Sequence, residues 1–167
     1  MTTVATTVAT QKEREVRALL RDLNDDYAVC LDDMELARWP DFFEEEADYR
    51  VVSRENHEQG LELSALSCTG RAMLLDRVAA LESTTVYEPR AIRHLVGCVT
   101  LDALEGELCR ARANFALYES LSDREPHLLM VGRYLDVVSL AGERPLFRQR
   151  WCVYDNYRIR TSLIIPV

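Results

Sequence analysis

Tyr27, Asp32, Asp33 and His94 are the residues of this chain whose chemistry could be catalytic. A carboxylate beside an imidazole orients the ring and prepares it as a general base. Asp33 with His94 is the pair that would serve, provided the helix carrying the aspartates packs over the strand carrying the histidine. A plainer reading competes with it: Asp32 caps a helix, and Asp33 pairs with Arg93 or another arginine. No second histidine stands where it would complete an acid–base pair, which favours the plainer reading.

Two further groups carry charge in a suggestive pattern. Arg93 and His94 lie beside the run Tyr87-Glu88-Pro89-Arg90, but adjacent strand residues point to opposite faces, so the two cannot enter one cleft. Arg133, Arg148 and Arg150 occur with Asp136 and Asp155 on the late strands, where opposite charges can pair across a ladder. With Tyr134 and Trp151 alongside, the same arginines suit a protein interface, where arginine and aromatic residues are enriched. Arg93, Arg133, Tyr134, Arg148, Arg150 and Trp151 are therefore the candidate interface residues.

Metal and cofactor chemistry finds no pattern to rest on. His57, His94 and His127 are far apart, with no cysteine or carboxylate at ligand spacing. Cys30, Cys68, Cys98, Cys109 and Cys152 are odd in number and lack the short paired intervals of a zinc ribbon or a disulfide framework. They read as small buried hydrophobes in a reducing compartment. Glycine-rich phosphate loops, nucleophile elbows and redox dithiol motifs are absent. The expectation is that this chain itself holds neither a metal nor a cofactor.

The elements that must position these residues follow from hydrophobic spacing. Between Thr10 and Arg38 the apolar positions Val16, Leu19, Leu20, Leu23, Tyr27, Cys30, Leu31 and Met34 recur at helical intervals. Thr10 with Glu13 has the form of a capping box that starts the helix. Asp32 with Glu35 repeats the signature, so the helix breaks near Asp32 and a short second one follows. Pro40 bends the chain amid a core cluster of Trp39, Phe42 and Phe43, and Glu44–Glu46 reads as a solvated turn. Residues 47–54 alternate as a strand, with Tyr49 and Val51 on one face; Asn56, His57 and Gly60 mark a turn or loop. A return strand is expected within 61–68, then a helix over 70–82 with Met73, Leu74, Val78 and Leu81 inward.

The second half is strand-like at about 91–104, 107–119, 127–140 and 145–157, with short turns between, which predicts an antiparallel meander. Cys109, Ala111, Ala113, Phe115 and Leu117 share one face of the second of these strands, and Arg110, Arg112 and Asn114 the other. An apolar sheet face needs a cover, and the helices of the first half are the candidates for it. The expected class is α+β, and the element order resembles the cone-shaped nuclear transport factor 2-like fold, N-terminal helices on a curved, mainly antiparallel sheet. The tail TSLIIPV is either a last edge strand or a segment that docks on another chain.

Composition bounds the setting. The 167 residues suit a single domain at 11–167 behind a flexible arm at 1–10. The net charge of −8 argues against nucleic acid as a partner, which requires a clustered basic face. No run approaches the roughly 20 apolar residues of a membrane helix, and the polar start MTTVATTVAT lacks the features of a secretion signal. A cytoplasmic protein is expected, with no membrane association.

Four stretches then carry a family resemblance: LDDMELARWPDFFEEEADYRVVSREN at 31–56, RAMLLDRVAAL at 71–81, YEPRAIRHLVG at 87–97 and GRYLDVV at 132–138. Together they resemble the small (β) subunits of aromatic-ring-hydroxylating dioxygenases, the Rieske non-haem iron oxygenases. The runs at 56–61 and 87–90 are most similar to the branch acting on aromatic acids such as terephthalate or salicylate. The resemblance implies a structural role, not a catalytic one, for this chain. It implies an α-subunit partner carrying a Rieske [2Fe-2S] cluster and a mononuclear non-haem Fe(II), fed with electrons from NAD(P)H through a reductase. It also implies an α3β3 assembly. The alternative left by the residues themselves is a stand-alone cone-fold dehydratase or isomerase working through Asp33 and His94.

Overall fold

The structure is a computed structural model that describes residues 9–83, 86–159 and 162–167. Most of the arm expected at 1–10 lies outside the described residues. Helix α1 (Gln11–Asp32) opens on the anticipated capping box. Thr10 Oγ1 accepts the Glu13 N–H at 3.2 Å, and the Glu13 carboxylate accepts the Thr10 N–H at 2.6 Å. These bonds hold the Glu13 carboxyl below its ordinary range. The inward stripe is Val16, Leu20, Leu23, Tyr27 and Leu31; Leu19, also expected on it, is exposed.

The end of α1 is a Schellman turn built without glycine. Met34 takes the left-handed conformation (φ 59°), its N–H bonds to Leu31 O at 3.1 Å, and the Glu35 N–H bonds to Cys30 O at 2.9 Å. The helix therefore stops at Asp32, where the sequence pattern predicts a break. A 3-10 helix follows at Leu36–Phe42, and its Pro40 turns the chain so that Trp39, Phe42 and Phe43 all enter the core.

Strand β1 (Phe43–Ser53) begins earlier than expected. Its pairing with the last strand jumps from Phe43↔Phe147 to Asp48↔Gln149, so the acidic run 44–46 is an excursion within the strand instead of a turn before it. Residues expected as loop form a short helix α2 (Arg54–Glu58), capped by Ser53 Oγ, which accepts the Asn56 N–H at 3.2 Å. Strand β2 (Leu66–Thr69) is the anticipated return strand and pairs antiparallel with β1. Helix α3 (Arg71–Ser83) buries Leu74, Val78 and Leu81. Met73, expected inward, is 46% exposed. The stripe at 74, 78 and 81 faces the sheet, and Met73 falls to its side, with its sulfur accepting the Thr69 N–H at 3.3 Å.

The meander consists of β3 (Arg90–Glu105), β4 (Leu108–Leu121), β5 (His127–Ser139) and β6 (Leu146–Tyr154). The sheet order is β2-β1-β6-β5-β4-β3, antiparallel throughout except where β1 runs parallel to β6 and joins the two halves. Bulges interrupt β3 at 97–100, with Cys98 at φ 53°, and every other pairing in the meander carries a register shift. Bulges raise local twist and bend strands, which curls this sheet around the helices. The expected inner face of β4 is buried throughout: Cys109, Ala111, Ala113, Phe115 and Leu117. The α+β architecture is thus the one the element pattern predicts.

The tail does something else than either option foreseen for it. Val167 is fully buried inside this chain's own core. Its carbonyl oxygen accepts from Tyr27 Oη at 2.8 Å, Tyr49 Oη at 3.2 Å and Cys152 Sγ at 3.2 Å, and its N–H donates to Tyr49 Oη at 2.8 Å. Arg77 holds the approach, donating to Leu163 O and Ile164 O at 3.1 and 2.8 Å. Among the described residues no helix is long and apolar enough to cross a membrane.

Candidate functional site

The carboxylate that meets His94 belongs to Asp32. The Schellman turn leaves Asp32 as the last residue of α1, a position where the helix dipole disfavours negative charge unless donors face it. Strand β3 supplies them. Both carboxylate oxygens lie 3.1 Å from the His94 backbone nitrogen, and Oδ1 lies 2.7 Å from His94 Nδ1. An acceptor on that side selects the tautomer with the proton on Nδ1. Arg93, on the opposite face of β3 as alternation requires, donates from Nη1 to the Asp32 backbone oxygen at 3.2 Å.

Asp33, the expected partner, is exposed at the cap and makes no ion pair with His94 or Arg93. The cause is one residue of helical phase: Asp32 projects toward β3, and Asp33 lies a hundred degrees round. This corrects both expectations for Asp33. It also replaces a helix-starting role for Asp32 by a helix-ending one.

A general base needs room beside its second nitrogen. The His94 side chain is wholly buried, and its Nε2 has no hydrogen-bond partner among the described residues. The core of the fold is filled. Trp39, Tyr27, Tyr49, Tyr134, Phe43 and Phe147 are each completely buried, with Trp39 Nε1 donating to Tyr27 Oη at 3.0 Å.

At the centre of this packing sits Arg150, also completely buried. Its guanidinium carbon lies 4.2, 4.0 and 3.9 Å from the ring centroids of Tyr27, Tyr134 and Phe147. Asp136, directly opposite on β5, accepts from Nε at 3.1 Å and from Nη2 at 3.0 Å; Asn24 of α1 also accepts from Nη2. Burial pushes the Asp136 carboxyl up, against the pull of Arg150. Burial likewise opposes the Arg150 charge, but Asp136 outweighs it and the guanidinium is held more firmly protonated than usual. The pair is a charged plug in a completely buried interior.

The candidate interface residues divide accordingly. Tyr134 and Arg150 are core, not surface, which corrects their assignment: alternation puts Arg150 on the same face as Cys152, and that face is inward. Arg148, two positions earlier, escapes because the β5–β6 register shifts beside it; it is exposed and pairs with Glu44 at 2.7 Å. Arg93 and Arg133 are exposed, and Trp151 is half-buried with Nε1 donating to Asp48 at 2.8 Å. Asn24, which sequence reasoning passed over, had one signal: a polar side chain next to the buried stripe of α1.

Open space lies on the other side of the sheet. A cavity of about 560 Å³ is lined by α2 residues Arg54, His57 and Glu58 and by Asn114, Arg133 and Leu135 of the outer sheet face. No group of three or more histidine, cysteine or carboxylate side chains is gathered as a metal site among the described residues.

The profile of the family described as ring hydroxylating beta subunit matches residues 27–161. The small subunit of anthranilate 1,2-dioxygenase from Burkholderia cepacia is 29% identical over 145 residues, 87% of this chain and 90% of that one. Subunit beta 1 of the terminal oxygenase component of terephthalate 1,2-dioxygenase from Comamonas sp is 26% identical over 141 residues, 84% and 92% of the two chains. A crystal structure assigned as the beta subunit of an aromatic-ring-hydroxylating dioxygenase of Novosphingobium aromaticivorans superimposes with TM-score 0.87 at 31% identity, covering 94% of this chain and all of that one. A protein from the same organism, assigned as a scytalone dehydratase, superimposes with TM-score 0.69 at 15% identity over 92% and 95% of the chains, a likeness of the cone fold alone.

Proposed function

The chain belongs to the ring-hydroxylating β-subunit family, and from that premise we propose that it is the structural small subunit of an oxygenase that hydroxylates an aromatic acid. Residues 11–167 act as one domain whose task is to assemble with an iron-bearing α subunit, in an α3β3 complex. The Rieske [2Fe-2S] cluster and the mononuclear non-haem Fe(II) belong to that partner, with electrons drawn from NAD(P)H through a reductase. This chain's described residues do not gather a ligand set that fits either centre. The aromatic-acid substrate class is supported by the anthranilate and terephthalate enzymes whose small subunits it resembles.

The observation that carries the structural role is the filled interior. Where a cone-fold enzyme would need a cleft, Arg150 is clamped between three rings and Asp136, and His94 Nε2 opens onto no solvent. A dehydratase or isomerase working through this pair has nowhere to bind its substrate.

Co-expression with the Rieske-type large subunit tests the proposal. The two chains are expected to co-purify as a hetero-oligomer, and His94→Ala in this chain is expected to leave turnover per assembled complex within about twofold. Isolation of this chain as an active enzyme that ignores the large subunit would overturn the proposal.

A further inference from the structure

Residues 163–167 belong to no helix or strand, yet Ile165, Pro166 and Val167 are buried. Side chains from four other elements hold this segment by its main chain. Tyr27 of α1, Tyr49 of β1 and Cys152 of β6 all donate to the Val167 main-chain oxygen, at 2.8, 3.2 and 3.2 Å. Tyr49 Oη also accepts the Val167 N–H, and Arg77 of α3 donates to the oxygens of Leu163 and Ile164. Beneath 162–165 the bed is Ile92, Leu117 and Leu129, with Glu119 alongside and matched by Arg90 at 2.6 Å. About 10 Å³ stays open there, barely the room of one water, so the segment fits its bed closely.

The donors are aimed by the rest of the fold. Trp39 Nε1 has only a proton to give and gives it to Tyr27 Oη at 3.0 Å, which leaves the Tyr27 proton for Val167. Tyr27, Tyr49 and Cys152 are completely buried. Burial raises all three above their ordinary range, so each keeps its proton at neutral pH and stays a donor. A buried donor without an acceptor is costly, and the surroundings are apolar. Three donors from three elements therefore demand one oxygen carried on an apolar body.

We infer that Tyr27, Tyr49, Cys152 and Arg77 form a binding slot for the carbonyl groups of an extended apolar chain, and that residues 163–167 occupy it as an intramolecular ligand that leaves and returns while the sheet stays folded. The six strands pair with one another and the segment adds no rung to them, so its departure breaks side-chain hydrogen bonds and apolar contacts but no ladder. The oxygen at the deep end can belong to an amide or to a carboxyl group, since both present the acceptor. The slot goes beyond the structural role proposed above and does not depend on it.

Thiol labelling of the full chain tests the movement. Cys152 lies under the segment, whereas Cys109 is equally buried on β4 and makes no hydrogen bond to it among the described residues. Cys152 is expected to label at least tenfold faster than Cys109, and Arg77→Met is expected to widen that gap by speeding Cys152 alone. A Cys152 no faster than Cys109 would mean that the segment moves only with global unfolding, and would overturn the inference. A chain lacking residues 162–167 tests the ligand. The peptide SLIIPV, supplied once with a free carboxylate and once as its amide, is expected to bind it saturably and to protect Cys152. The form that binds more tightly identifies the group that the deep end takes. Adding Tyr49→Phe is expected to weaken that binding roughly tenfold. A shortened chain that folds only with the peptide present identifies the peptide as its ligand all the same. A peptide that neither binds nor restores folding refutes the slot, and that failure leaves assembly with the large subunit untouched.

Discussion

Asp32 and His94 are joined at two points, through the histidine ring at 2.7 Å and through its backbone N–H at 3.1 Å, so the last residue of α1 is fastened to the edge strand β3. A catalytic dyad needs only the first of these bonds. The second fixes main chain to side chain and gives the pair the character of a brace, which adds a polar tie to the apolar packing of Leu31 and Ile92 in the same core.

Asp32→Ala removes the acceptor for both donors and leaves a buried ring N–H and a backbone N–H unpaired. A loss of about 1–3 kcal/mol is expected in urea unfolding of the isolated chain. Asp33→Ala, at an exposed position with no partner across the sheet, is expected to stay within about 0.5 kcal/mol of wild type. Equal losses for the two variants would show that the brace has been misassigned.

Arg150→Met strips the counter-charge from Asp136 deep in the core. Breaking a buried pair from one side costs about 3–5 kcal/mol, because the remaining charge is uncompensated. The double variant Arg150→Met with Asp136→Leu is expected to recover most of that loss, since two apolar residues of similar volume satisfy each other. Denaturant midpoints of the three proteins decide it; a double variant no better than the single one would mean that the ring stacking on Arg150, and not its pairing, holds the interior.

The buried thiols set an alkaline limit. Burial raises Cys30 and Cys109 from 9.0 to about 11 and Cys152 to about 12. In the unfolded chain these groups ionise from about pH 9, whereas the folded chain keeps its protons until about 11, so the unfolded state binds fewer protons in between. Stability is therefore expected to fall as pH rises from 9 to 11, by on the order of 1–3 kcal/mol per thiol. Cys109→Ala is expected to flatten the slope. In the native protein at neutral pH, exposed Cys98 should react with a thiol reagent before the other four, each of which is buried.

What the sequence by itself determined is the part governed by local rules. The period of apolar residues gave α1, α3 and the four meander strands to within a few residues, because burial of one face imposes that period. The paired alternation on β4 assigned its inner and outer sides correctly, and the scattered cysteines and histidines follow no ligand spacing. The ordered set of motifs from Leu31 to Val138 carried the family. Tertiary structure decided everything that depends on phase or on bulges. One residue of helical phase gave His94 to Asp32 instead of Asp33, through a turn whose left-handed residue is a methionine that no glycine signal announces. A register shift beside Arg148 sent it to solvent and left Arg150 in the core, though the two share a parity that a straight strand would honour. The tail was apolar on its face, but only the arrangement of Tyr27, Tyr49 and Cys152 around Val167 shows that its hydrogen bonds are met at home. Side-chain period is written in the order of residues; the meeting of distant residues is set by how a curved sheet closes on its helices, and that is written in no single segment.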